Sequence, residues 1–131
     1  MQTEFLMLGL LILLALVNII WAGSARTKQY GRDWNMGARD EAMPPLDPLP
    51  ARLLRAQANL FETLPLFVAA LLGAAATDHL GPLTHWGSVI YVVGRIVYLP
   101  LYAAGIPKIR TLVFSVSLVG LVMTWWALLF G

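Results

Sequence analysis

The chain returns four times to an apolar run long enough to cross a bilayer as a helix. From Phe5 to Ala22 the only strongly polar side chain is Asn18, and further runs occupy residues 53–76, 83–103 and 109–130. A hydrocarbon core of about 30 Å takes roughly 20 helical residues. The runs do not alternate polar with apolar, so they read as helices and not as barrel strands. Apolar residues make up 59 % of the chain and charged residues 12 %, against about 25 % charged in ordinary globular proteins. A soluble domain of this size has too much surface to cover with so few polar groups. The expectation is an all-α integral membrane protein: a single domain, 1–131, with helices at about 4–25, 52–77, 83–103 and 108–130 and a loop at 26–51. Short connections predict an up-down four-transmembrane-helix bundle. Ala22-Gly-Ser-Ala25 resembles a signal-peptide cleavage site, but Gln2-Thr3-Glu4 before the apolar run carries no positive charge, so a first span is the better reading.

Of the nine Lys and Arg residues, all but Arg95 lie on or beside two connections, 26–55 and 108–110. Both termini and the 77–85 connection carry none. The positive-inside bias places the two basic connections in the cytoplasm and both termini on the other side. The same distribution argues against nucleic acid as a partner, because there is no aromatic-interleaved basic patch. There is no cysteine, which removes disulfides, thiolate metal sites and a cysteine nucleophile.

Polar residues inside the spans carry the functional signal. Arg52, Arg55, Asn59 and Glu62 are spaced three, four and three along the second span, which returns them to one helical face. Gln57 points off this stripe, and Pro65 frees a carbonyl one turn earlier. Tyr91, Arg95, Tyr98 and Tyr102 make a second stripe on the third span. A charge at membrane depth costs a few kcal/mol or more unless paired, and Glu62 is the carboxylate at hand, so Arg95 and Glu62 are expected to share one polar site. Read singly, these residues have structural explanations: a register-fixing ion pair, interfacial tyrosines, and snorkelling by Arg52, Lys108 and Arg110. Together they describe a cleft opening to the basic side, suited to a small anionic or zwitterionic ligand. Asp78, His79 and His85 fall in the far connection and are read as solvated, with no metal expected. Trp21, Trp34, Trp86, Trp125 and Trp126 mostly mark span ends, and Asn18 is expected to bond between helices or subunits.

Two motifs then carry a resemblance. Arg55-Ala-Gln-Ala-Asn59-Leu-Phe-Glu62-Thr63-Leu-Pro65-Leu-Phe67 resembles the signature of the MAPEG family, the membrane-associated proteins in eicosanoid and glutathione metabolism. Gly94-Arg95-Ile-Val-Tyr98-Leu-Pro100-Leu-Tyr102, followed by Gly105-Ile-Pro107-Lys-Ile-Arg110, resembles the family's third helix and the Arg opening its fourth. The likeness is to bacterial-type members resembling microsomal glutathione transferases, and implies a homotrimer in the bacterial inner membrane with sites at subunit interfaces facing the cytoplasm. It implies glutathione as co-substrate, bound by Arg55, Asn59 and Glu62 with Gln57 and Arg95 nearby, and by Tyr98 and Tyr102. Arg110 matches the thiol-activating Arg, and Arg26 or Arg32 a basic residue after the first helix. Thr63 stands where some glutathione-using members place a Tyr.

The resemblance implies a transferase or peroxidase that turns glutathione on a lipophilic electrophile or hydroperoxide held in membrane lipid. A free thiol has a pKa of about 8.5, and an adjacent Arg favours its thiolate. Two alternatives stay open: a non-catalytic lipid or small-ligand binding protein of the same fold, and a small four-helix transporter relying on Glu62.

Overall fold

The computed structural model describes residues 2–131; Met1, the first position of the expected single domain, lies outside the described residues. Five helices follow in order: α1 (Thr3–Tyr30), α2 (Arg32–Met36), α3 (Pro48–Ala76), α4 (Pro82–Ala103) and α5 (Pro107–Phe130). All but α2 are long and apolar enough to cross a membrane. Two boundaries differ from the sequence expectation. The first helix continues through Arg26 and Lys28 to Tyr30, where Gly31 breaks it at φ +97°, a conformation that favours glycine. The segment 26–51 is therefore not one loop: it holds the end of α1, the short α2 and the first turn of α3. Pro48 and Pro50 belong to that first turn, where a missing N–H leaves no unmet bond.

The spanning helices run up and down. At one end Glu4 of α1 accepts a bond from Thr84 Oγ1 of α4 at 2.7 Å, and His79 bonds the Leu128 carbonyl near the end of α5 at 3.0 Å. At the other end Arg52 Nε of α3 donates to the Ala103 carbonyl of α4 at 2.9 Å. That carbonyl lies in the last turn, where no helical N–H remains to meet it and a cation suits the dipole. Arg52 is thus tied to the end of α4 and is not a free snorkelling charge. Helices α3 and α4 each touch both α1 and α5, while α1 and α5 do not touch each other among the described residues.

Helix α5 shows how lipid inverts the usual pattern. Its buried residues are Ser117, Gly120, Thr124 and Ala127, while Leu112, Val116, Val119 and Val122 are exposed. Small residues allow close backbone approach where apolar side chains gain nothing by leaving lipid. A Cβ on Gly120 would stand 2.5 Å from the Gly87 carbonyl and the Tyr91 nitrogen, and one on Gly94 2.9 Å from Ser117 Cβ. Helix α1 follows the same logic outside, with Ile12, Leu13 and Ile20 exposed, but packs Leu11, Leu14 and Ala15 inward. Asn18 is buried between helices and donates to the Leu53 carbonyl of α3 at 3.3 Å.

Lower in the bundle Thr63 Oγ1 and the Tyr91 hydroxyl are 2.7 Å apart, with the Tyr91 ring stacked on Phe67 at 4.3 Å between centroids. Tyr91→Phe should cost about 1 kcal/mol, the net value of an ordinary hydrogen bond. Thermal unfolding of Tyr91→Phe, Thr63→Val and the double variant checks this. The double variant should be little worse than either single one, because both remove the same bond.

Candidate functional site

The seam between α3 and α4 is a ladder of polar contacts in antiparallel register. Arg52 reaches Ala103, Arg55 Nε donates to the Tyr102 hydroxyl at 3.3 Å, and Arg95 Nη1 donates to Asn59 Oδ1 at 2.7 Å. The fourth rung is Thr63 with Tyr91. Helix α5 adds Arg110, whose Nη1 lies 3.4 Å from the Tyr98 hydroxyl and whose guanidinium lies 4.6 Å from the Tyr102 ring centre. One connected cluster therefore holds Arg55, Asn59, Arg95, Tyr98, Tyr102 and Arg110.

The expected pairing of Arg95 with Glu62 is not made within the chain. Arg95 is 2 % exposed and takes Asn59 as its partner, with its guanidinium 4.4 Å from the Tyr98 ring and 5.7 Å from that of Phe114. Glu62 is exposed on the outer side of α3. The reason is azimuthal. Seven residues, from Arg52 to Asn59, bring the chain back to nearly the same heading, whereas Arg55 and Glu62 are turned roughly 60° further round. So Arg52 and Asn59 are half-buried towards α4, while Arg55 and Glu62 are exposed. Gln57 lies on another side of α3 and does not join the cluster. Phe114 carried no signal in the sequence beyond being an aromatic residue in an apolar span. Thr63 was visible only as a departure from the family motif.

Burying Arg95 costs a few kcal/mol in a bilayer. The bond to Asn59 and two aromatic faces at about 0.5–2 kcal/mol each return a comparable amount. Its Nε is buried without a partner.

The cluster has a definite hydrogen-bonding polarity. Arg95 occupies Asn59 Oδ1, which leaves the amide nitrogen of Asn59 as its free function. Arg55 and Arg110 donate to the oxygens of Tyr102 and Tyr98, which leaves both hydroxyl protons available. What the cluster presents is thus almost wholly donors and positive charge, a chemistry complementary to an acceptor-rich anion. Among the described residues no group of His, Asp and Glu is placed to hold a metal ion.

Four helices long and apolar enough to span a bilayer, packed around a donor-lined polar cluster, define an integral membrane protein. The chain matches the MAPEG family over residues 5–130, nearly its whole length, and it belongs to that family. Membership associates it in general terms with glutathione- or eicosanoid-related functions in membranes. No curated protein and no solved structure matches the chain.

Proposed function

We infer that the chain is a membrane-bound, glutathione-dependent transferase or peroxidase. The observation that carries this is the donor polarity of the cluster. Glutathione brings two carboxylates and a thiol, and the site brings three guanidinium groups, an amide N–H and two phenol protons. In this reading Arg55, Asn59 and Tyr102 hold the carboxylates and backbone, Arg95 fixes Asn59, and Tyr98 orients Arg110. Arg110 stabilises the thiolate, which either forms a C–S bond to a lipophilic electrophile, displacing its leaving group or adding to its activated double bond, or breaks a hydroperoxide O–O bond. The second course releases the alcohol and leaves a sulfenic acid, which a second glutathione converts to disulfide and water. The positive-inside bias supports a cytoplasmic Arg110 end of the bundle, on the side where glutathione is dissolved.

The active form in this reading is a homotrimer. A carboxylate exposed at hydrocarbon depth is costly without cover, and Glu62 faces outward from the single chain. A second copy covers it and completes the site. Arg26 is the natural contribution from that copy, because its Nε is buried without a partner while Trp34 lies over its guanidinium at 5.3 Å.

Glutathione added to the purified protein at neutral pH should raise the thiolate absorbance band with saturable dependence on concentration. Free glutathione at that pH is mostly thiol. Native mass spectrometry should show glutathione on three-copy particles. Neither thiolate nor binding at millimolar glutathione would sink the proposal, and full-affinity binding to single copies would sink the shared site. Saturable binding without thiolate would favour a non-catalytic binding protein. Thr63 gives this second reading its one specific support, since its hydroxyl is already committed to Tyr91.

A further inference from the structure

Helix α1 is longer than the bilayer core needs. Its 28 residues extend roughly 42 Å at 1.5 Å each, against about 30 Å of hydrocarbon. The surplus emerges at its C-terminal end and passes through the headgroup layer. At that level, on the outward face of α1, lies a groove of about 610 Å³. It is unrelated to the polar cluster. The residues that pack α1 into the bundle, such as Leu11, Leu14, Asn18 and Ala22, lie on the opposite side of the helix.

The groove is graded along the helix axis. Ile20, 64 % exposed, forms its apolar end, Ser24 and Thr27 its middle, and Lys28 with Arg32 its outer end. From Ile20 to Lys28 is about 12 Å of rise, and the chemistry passes from hydrocarbon through hydroxyl to cation. Gly23 leaves the floor open, since a Cβ there would meet nothing within 4 Å. The left-handed turn at Gly31 folds α2 back and brings Arg32 and Asn35 to the rim. Asn35 Nδ2 donates to Thr27 Oγ1 at 2.5 Å, so the Thr27 hydroxyl keeps its own proton for another acceptor. No acidic residue lines the groove, and neither Lys28 nor Arg32 forms an ion pair among the described residues.

We propose that this groove binds one anionic phospholipid of the adjoining leaflet. An acyl chain lies along Ile20 and over Gly23, the glycerol esters meet Ser24 and Thr27, and the phosphate sits between Lys28 and Arg32. Charge complementarity and the match of the polarity gradient to the depth of a lipid select this occupant. A soluble anion would leave the apolar half unused, and a neutral lipid would leave the cations unused. The site also assigns Arg32 a role apart from the ligand cluster, which leaves Arg26 as the basic residue of α1 available to a neighbouring copy.

Native mass spectrometry tests this on the whole protein extracted from bilayers of equal phosphatidylglycerol and phosphatidylcholine. The retained lipid should be at least fivefold enriched in phosphatidylglycerol. Lys28→Gln with Arg32→Gln should bring that ratio close to one. Gly23→Leu, which fills the floor without changing charge, should reduce retained lipid several-fold. Lys108→Gln, in the other basic connection and outside the groove, should change neither. Glycerol 3-phosphate at millimolar concentration should displace little. Equal retention of both lipids by the unaltered protein, an unchanged ratio in the double variant, full retention in Gly23→Leu, an equal loss in Lys108→Gln, or ready displacement by glycerol 3-phosphate would overturn the proposal.

Discussion

Arg110→Ala should lower glutathione-dependent turnover by about 10²- to 10³-fold, the usual effect of removing one donor from a developing anion. Glutathione affinity should change only a few-fold, because Arg55, Asn59 and Tyr102 remain. Arg110 meets Tyr98 through a long 3.4 Å contact and stacks on Tyr102, so most of its N–H groups stay free for a ligand. Arg110→Lys should fall between, since an ammonium keeps the charge but loses the flat stacked face. The checks are kcat and KM with a lipophilic electrophile, and thiolate absorbance with glutathione alone. Turnover that survives in Arg110→Ala, or that falls only in step with binding, would remove Arg110 from the chemistry.

Gly120→Val should destabilise the bundle by about 3 kcal/mol or more, enough to leave little folded protein at elevated temperature. A Cβ on Gly120 meets backbone atoms of α4 at 2.5 Å, and backbone cannot rotate away as a flexible side chain can. Overpacking of this kind costs about 1–3 kcal/mol even against side chains. The change to a better helix former returns only about 0.5 kcal/mol, so the steric loss wins. Gly9 is the control: a Cβ there meets nothing within 4 Å, and Gly9→Ala should be neutral or slightly stabilising. Thermal unfolding in detergent compares the two. Unchanged stability in Gly120→Val would mean that α4 and α5 do not approach as described.

The spans were legible because apolar length is a one-dimensional property, and four runs of the right length stand between polar connections. The ends of α1 and α3 were not. Charges at Arg26 and Lys28 mark where a helix leaves lipid, but not where it stops, and α1 stops at the backbone conformation of Gly31. Pro48 and Pro50 look like breakers in a Pro-rich segment, yet the first helical turn accepts them. In the site, residue spacing identified the stripes on α3 and α4 but treated each as one face. Asn59 and Glu62 sit within one turn of each other and differ by roughly 60° in heading, which puts one against Arg95 and the other outside. Composition favoured the carboxylate as the partner of a buried Arg, whereas packing chose the amide. The fourfold role of α4 as neighbour to α1, α3 and α5 and as carrier of the polar ladder has no sequence signature beyond its small residues, Gly87 and Gly94.

In the proposed function the polar cluster between α3, α4 and α5 is where the ligand binds. An experimental density map of the purified protein with saturating glutathione tests it directly. Ligand density should lie in contact with Arg55, Asn59 and Tyr102, with its sulfur beside Arg110 and the outward face of Glu62 covered by a second copy. Density seated elsewhere, or an empty cluster in particles that demonstrably bind glutathione, would contradict it.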